Sequence, residues 1–315
     1  MLFRSIILFI RRLFMTPKEK FILDFKQFTD CLQKSVMDEV NGHWTVKGFI
    51  DIYKNVYTIS SDTKIISKIL EIHLFPTILK FADSIGYNVV LADFQNYYPD
   101  LTFVKKDDEH IKFAVDLKTT FKRPNGRVSF TLGSHGNYFV DRNKRKNIQY
   151  PYNQYSGHFC LGIIYSKVDG GDEDNNKELI ELKTHSVDDL GPRINDATNR
   201  NTISATDLRS IPSVIKDFQF FFAEKWKIAS DSQGSGNTAN IGSISSIEDI
   251  IKERGVFYKL GEEYFDNYWL NYNSNYVVNN VQKKINSIYN YLEWKGELKT
   301  KKKLVGAGAK KYNEK

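Results

Sequence analysis

Between residues 87 and 132 strand-like runs alternate with turn residues, and this restricts the fold more than any other feature of the chain. Tyr87 to Leu91, Leu101 to Val104, Ile111 to Thr120 and Val128 to Leu132 have strand character, and "KKDDEH" and "RPNG" separate the last three. Side chains alternate along a strand. Ile111, Phe113, Val115 and Leu117 therefore share one face, and Lys112, Ala114, Asp116 and Lys118 share the other. The first face reads as core. The second sets an acid and a lysine side by side. Asp100, behind Pro99, heads the preceding strand. If the two strands pair antiparallel across the turn, both carboxylates meet at one end. "HFCLGIIYSKV" is continuously apolar, the pattern of a strand buried on both faces.

Helices must cover such a sheet. Phe21, Phe25, Phe28, Leu32 and Val36 recur at helical spacing within residues 17 to 40. "SSDTKIISKILEIHLFP" opens on cap residues and carries Ile65, Ile66, Ile69 and Leu70 before Pro76, which closes or kinks that helix. A second short helix then reaches Gly86. The C-terminal third is aromatic and helical in pattern, around "EEYFDNYWLNY" and "INSIYNYLEW". The expected class is α/β, a mixed central sheet flanked by helices.

Two close carboxylates repel and raise each other's pKa unless a cation lies between them. Oxygen ligands of this kind suit magnesium, which keeps waters and takes one or two protein carboxylates. A neighbouring lysine can stabilise charge on a phosphate. Asp100, Asp116 and Lys118 are thus equipment for hydrolysing a phosphodiester. Taken alone, an Asp–Lys pair in a strand also fits an ordinary exposed sheet face.

A net charge of +7 and a pI near 9.0 suit a polyanionic partner without identifying one. Cys31 and Cys160 define neither a disulfide framework nor a zinc spacing, so a reducing, cytoplasmic setting is expected. The apolar run Ile6 to Ile10 is far short of the ~20 residues of a spanning helix. No stable membrane association is expected, although a surface helix would fit. Residues 1 to 14 read as a dispensable extension, with Met15 an alternative start. "DGGDEDNN" resembles a calcium loop only faintly. It lacks the required glycine and has Lys183 where a glutamate is needed, so it reads as a solvated loop within the polar stretch 169 to 206. "KGELKTKKKLVGAGAKKYNEK" reads as a disordered lysine-rich tail. The domain boundaries expected are 1–45 for an N-terminal extension and helix, 46–295 for the main domain, and 296–315 for the tail.

Pro99-Asp100 followed by Asp116-x-Lys118 resembles the PD-(D/E)XK nuclease signature. "SDTKIISKILEI", "NYYPDLTF", "AVDLKTTF", "FTLG", "YPYNQY" and "GSGNTANIGSI" occur in an order that resembles one family of type II restriction endonucleases. The resemblance runs from about Ser60 to Ile244 and continues more weakly through "GVFYKLGEEYFDNYWLNY". It implies metal-binding roles for Asp100 and Asp116, a catalytic Lys118, and an additional metal-side acid, Glu71. It also makes "GSGNTAN" the loop that reads base edges, from Gly234, Ser235, Gly236, Asn237, Thr238 and Ala239. Gly234 and Gly236 permit close backbone approach. Asn237 can bond two edges of one adenine, and Thr238 can meet a thymine methyl. Ala239 departs from the family, which has a second threonine there, and leaves the outer base pair open. Gln95 and Asn96 would approach the minor groove, and Lys64, Thr119, Thr120 and Lys146 would contact phosphates. His135 reads as structural or solvated. The implied protein is a homodimer that cuts double-stranded DNA bluntly at GATATC with magnesium, alongside a cognate DNA methyltransferase. A repair or junction nuclease on the same fold, selecting DNA structure rather than sequence, is the alternative.

Overall fold

The structure, a computed structural model, describes residues 14–38, 42–53, 55–168, 202–204, 213–234 and 239–311. In chain order the elements begin with α1 (Pro17–Val36), β1 (Gly48–Ile50), β2 (Asn55–Thr58) and α2 (Thr63–Ser84). Strands β3 (Tyr87–Leu91), β4 (Leu101–Lys105), β5 (Asp108–Phe121), β6 (Thr131–Ser134) and β7 (Gly157–Lys167) follow. Then come β8 (Thr202–Ser204), β9 (Ile215–Glu224), β10 (Ala229–Gln233) and β11 (Asn240–Ser243). The chain continues with α3 (Ile247–Ile251), α4 (Glu262–Leu270), β12 (Asn275–Val278), β13 (Val281–Lys284), α5 (Ile288–Trp294) and α6 (Leu298–Lys301).

The expected α/β class holds: a mixed, five-stranded sheet in the order β3-β4-β5-β7-β9, with flanking helices. The chain divides into two compact units. The first comprises Met1–Asp30, Thr77–Ile163 and Phe220–Lys315, and the second Cys31–Pro76 and Ile164–Gln219.

In the first unit, the phenylalanines of α1 cover one face of the sheet. Thr16 and Glu19 cap that helix reciprocally: Glu19 N–H donates to Thr16 Oγ1 at 3.3 Å and Thr16 N–H to Glu19 Oε2 at 2.8 Å. Phe21 lies 4.3 Å from the ring of Phe113, 5.2 Å from Phe103 and 5.5 Å from Phe159. Phe25 stacks on Phe222 at 4.1 Å. The face of β5 carrying Phe113 and Val115 is therefore core, as the alternation predicts. The same unit contains a small antiparallel sheet, in the order β10-β11-β6.

In the second unit β1, β2 and β8 form an antiparallel sheet. Trp44 is fully buried there, with its indole Nε1 3.4 Å from His73 Nδ1.

Three expectations are corrected. Pro76 does not end its helix: α2 runs unbroken through it to Ser84, and Gly86 follows at φ +81°. Leu70, Leu74, Ile78 and Ala82 are all buried along α2, and burying that stripe outweighs the one hydrogen bond a proline removes. The turn between β4 and β5 is shorter than "KKDDEH", because β5 already begins at Asp108. The tail is ordered through residue 311: α6 and a 3-10 turn at Lys302–Leu304 lead into a packed segment. Its lysine content suggested disorder, but Gly306 and Gly308 let its backbone approach the fold closely. The expectations for residues 1–13, the calcium-like stretch and most of 169–206 fall outside the described residues.

Candidate active site

β4 and β5 pair antiparallel with Leu101 opposite Val115, which sets Asp100 across from Asp116. The two carboxyls share a hydrogen bond, and Leu117 N–H donates to Asp100 Oδ2 at 2.7 Å. Lys118 Nζ stands 2.5 Å from Asp116 Oδ2. Asp100, Asp116 and Lys118 therefore meet, as the alternation requires. The exposed-face reading of the Asp–Lys pair does not hold, since Ala114 is fully buried and Asp116 is 8% exposed.

Burial makes the pair electrostatically asymmetric. Burial, and then the charge of Asp116, push the Asp100 carboxyl up to about 7, against Lys118 and the Leu117 N–H. Burial would raise Asp116 as well, but Lys118, the shared hydrogen bond with Asp100 and the charge of Lys225 hold it below the usual carboxylate range. Burial disfavours the Lys118 ammonium, yet Asp116 and Asp100 raise its pKa above the ordinary lysine value. Any proton the pair keeps near neutrality therefore sits on Asp100 while Asp116 stays ionised, and a divalent cation would displace it. Two converging oxygen donors fit a hard cation that keeps waters. Among the described residues no cluster of three or more His, Cys, Asp or Glu side chains forms.

The sequence reading missed Lys225. This residue follows β9 in a 3-10 turn and is 3% exposed. Its Nζ has no hydrogen-bond partner and lies 5.0 Å from the centroid of the Tyr98 ring. Tyr98 directly precedes Pro99-Asp100. It stacks on Tyr138 at 5.3 Å, and its hydroxyl meets His158 Nδ1 at 3.0 Å. Burial lowers the Lys225 ammonium to about 8 against the opposing charge of Asp116. A lysine more than 100 residues from the signature, in an apolar-aromatic context, gave no spacing by which to find it.

The other expected site residues divide. Gln95 and Asn96 are exposed in the turn before Tyr98, and Lys146 is exposed in its loop. Thr119 is half-buried. Thr120 is 7% exposed and donates its hydroxyl to Ser129 O at 3.1 Å, so that hydroxyl is already engaged within the fold. Glu71 and Lys64 lie on α2 in the second unit. Glu71 is half-buried and paired with Lys68 at 2.7 Å, while Lys64 is exposed in the first turn, where Asp62 Oδ1 accepts its N–H at 2.9 Å.

"GSGNTAN" joins β10 to β11. Ser235, Gly236, Asn237 and Thr238 are outside the described residues. The base of the loop is well defined: Gly234 N–H donates to Asn240 O at 3.0 Å, and Ala239, exposed, accepts from His135 N–H at 2.8 Å. His135 packs on Trp269 at 5.1 Å and meets Gln233 Nε2 at 3.0 Å. It is a brace for the loop, in keeping with the structural role expected of it.

A sheet-borne Pro-Asp and Asp-x-Lys on an α/β scaffold define the class: a PD-(D/E)XK nuclease acting on DNA. The family model for restriction endonuclease EcoRV matches residues 40–196 and 192–296. The chain is 34% identical over 265 residues, 84% of its length and 95% of the relative's, to the Type II restriction enzyme EcoRV of Escherichia coli. The chain belongs to the EcoRV family of type II restriction endonucleases.

Proposed function

We propose that this nuclease cuts double-stranded DNA bluntly at GATATC, with magnesium, leaving 5′-phosphate and 3′-hydroxyl ends. The observation that carries the metal reading is the buried Asp100–Asp116 pair, which holds too few protons to be two neutral acids and has one lysine in contact. Asp100 and Asp116 would hold the ion, with Glu71 as the further acid the family resemblance supplies. A bound magnesium supplies Lewis-acid stabilisation of phosphoryl oxygens and a more acidic water. Lys118 contributes a fixed positive charge where the phosphorane's charge develops. Exposed Gln95, Asn96, Lys64 and Lys146, together with Thr119, would contact the grooves and backbone.

Base reading falls to residues 234–239, with Asn237 bonding an adenine and Thr238 a thymine methyl. A palindromic target calls for a two-fold reader, hence a homodimer. The β1–β2 hairpin of the second unit leaves Phe49, Ile50, Ile52 and Tyr53 each more than half exposed, an apolar patch suited to a second copy. Among the described residues no helix is long and apolar enough to cross a membrane. A cytoplasmic enzyme whose host protects its own sites with a cognate methyltransferase completes the reading.

The test is to digest a plasmid of known sequence with magnesium and map the ends. Blunt ends centred in GATATC are expected. Staggered ends, or cuts at another sequence, overturn the proposed site. Cuts at junctions or flaps irrespective of sequence would favour the structure-selective alternative.

A further inference from the structure

We propose that the C-terminal segment Val305–Lys310 is a strap that positions the base-reading loop and so helps determine specificity. The proposal rests on the assignment of residues 234–239 as that loop. The matched family residues end at 296, so the strap lies beyond them.

The strap is built into the fold. Gly306 N–H donates to Val256 O at 3.0 Å and Ala307 N–H to Arg254 O at 2.9 Å. Gly306 has no room for a side chain, since a Cβ there would stand 2.0 Å from Gly255 O. Gly308, at φ +81°, would place a Cβ 2.5 Å from Ile244 Cγ2, one residue past β11. Lys310 N–H then donates to both carboxylate oxygens of Asp231, at 3.0 and 3.2 Å.

Asp231 links this segment to the loop. It is fully buried in β10, three residues before Gly234. Besides Lys310, its Oδ2 accepts from Ile288 N–H at 3.0 Å, and its backbone carbonyl accepts from the Tyr268 hydroxyl at 2.6 Å. A buried carboxylate depends on such donors, and losing one is costly. Through Asp231 the strap holds β10, and through Ile244 it holds the end of β11. These are the two stems of the loop. Errors of an ångström at a recognition or catalytic group cost orders of magnitude, so fixing the stems matters at the tip.

The test compares wild type with a chain ending at Leu304, Lys310→Pro, Lys310→Ala and Asn237→Ala. Each is assayed on the mapped duplex and on a one-base variant at fixed salt, with hydrogen exchange read over 229–234 and 239–243. Because the bond comes from the backbone, Lys310→Ala should keep the wild-type preference. The truncated chain and Lys310→Pro should lose preference by about 10-fold or more, within the loss a base contact can produce. They should also exchange faster in β10 and β11. A purely structural segment would lower both substrates together and leave their ratio unchanged, and that result overturns the proposal. So does failure of both variants to fold, which would make the strap part of the core. If Asn237→Ala loses preference while the strap variants keep it, only the strap role fails. If Asn237→Ala itself keeps the preference, the loop assignment fails and takes the strap's specificity role with it.

Discussion

Lys225 carries a positive charge into a buried aromatic site without a hydrogen-bond partner. Its pKa, lowered from 10.5 to about 8, means that the folded state holds this proton less tightly than the unfolded chain does. The cost to stability is therefore fully present below pH 8 and fades as pH rises toward 10.5, and it is on the order of 3 kcal/mol. Structures keep such a group where it serves a site. Lys225→Met should accordingly raise the melting temperature, or leave it unchanged, at pH 7, with the gain vanishing above pH 10. Cleavage should fall by about 10-fold or more, because the charge that helps keep Asp116 ionised is gone. A thermal melt beside a plasmid-cleavage assay reads both. Undiminished cleavage would show Lys225 to be a passive occupant. Alternation put Asp116 and Lys118 on one face and the family resemblance gave them their roles, whereas neither pointed to Lys225. Its role comes from burial and from the Tyr98 ring, and neither leaves a periodic mark.

At the scale of elements, local patterning was a good guide where one rule acted and a poor one where two competed. The stripe Phe21, Phe25, Phe28, Leu32 and Val36 gave α1, and Asp62 capped α2 as its position suggested. Pro76 misled because a local rule met a longer apolar stripe, and the stripe decided the outcome. The lysine content of the tail suggested disorder, but the glycines of "LVGAGAK" pack closely against the fold. The β10–β11 stems also bear on how sequence is chosen. Asn237→Ala should lose discrimination while keeping most nonspecific affinity, since nonspecific binding is mainly phosphate neutralisation. A bidentate contact to adenine gives ~1–3 kcal/mol, made twice in a symmetric dimer. The expected loss is about 2–6 kcal/mol, or roughly 30-fold to 10⁴-fold. Binding and cleavage of the target and a one-base variant at fixed salt measure it. An unchanged ratio would mean that the loop does not read bases.

For the whole molecule, the nuclease class was legible because Pro99-Asp100 and Asp116-x-Lys118 lay within a collinear series of motifs resembling one family, where strand alternation alone left an exposed sheet face open. The division of the chain into two units was not legible, because α1, α2, β7 and β9 each cross the boundary without a linker. If DNA is cut at the Asp100–Asp116–Lys118 cluster, cleavage must depend on Asp116. The most direct measurement is the rate of supercoiled plasmid cleavage, with magnesium, by wild type and Asp116→Ala, each shown by circular dichroism and duplex binding to be folded. Asp116→Ala should cut slower by roughly 10³-fold or more while remaining folded. A folded Asp116→Ala protein that cuts at close to the wild-type rate would contradict the assignment of the active site.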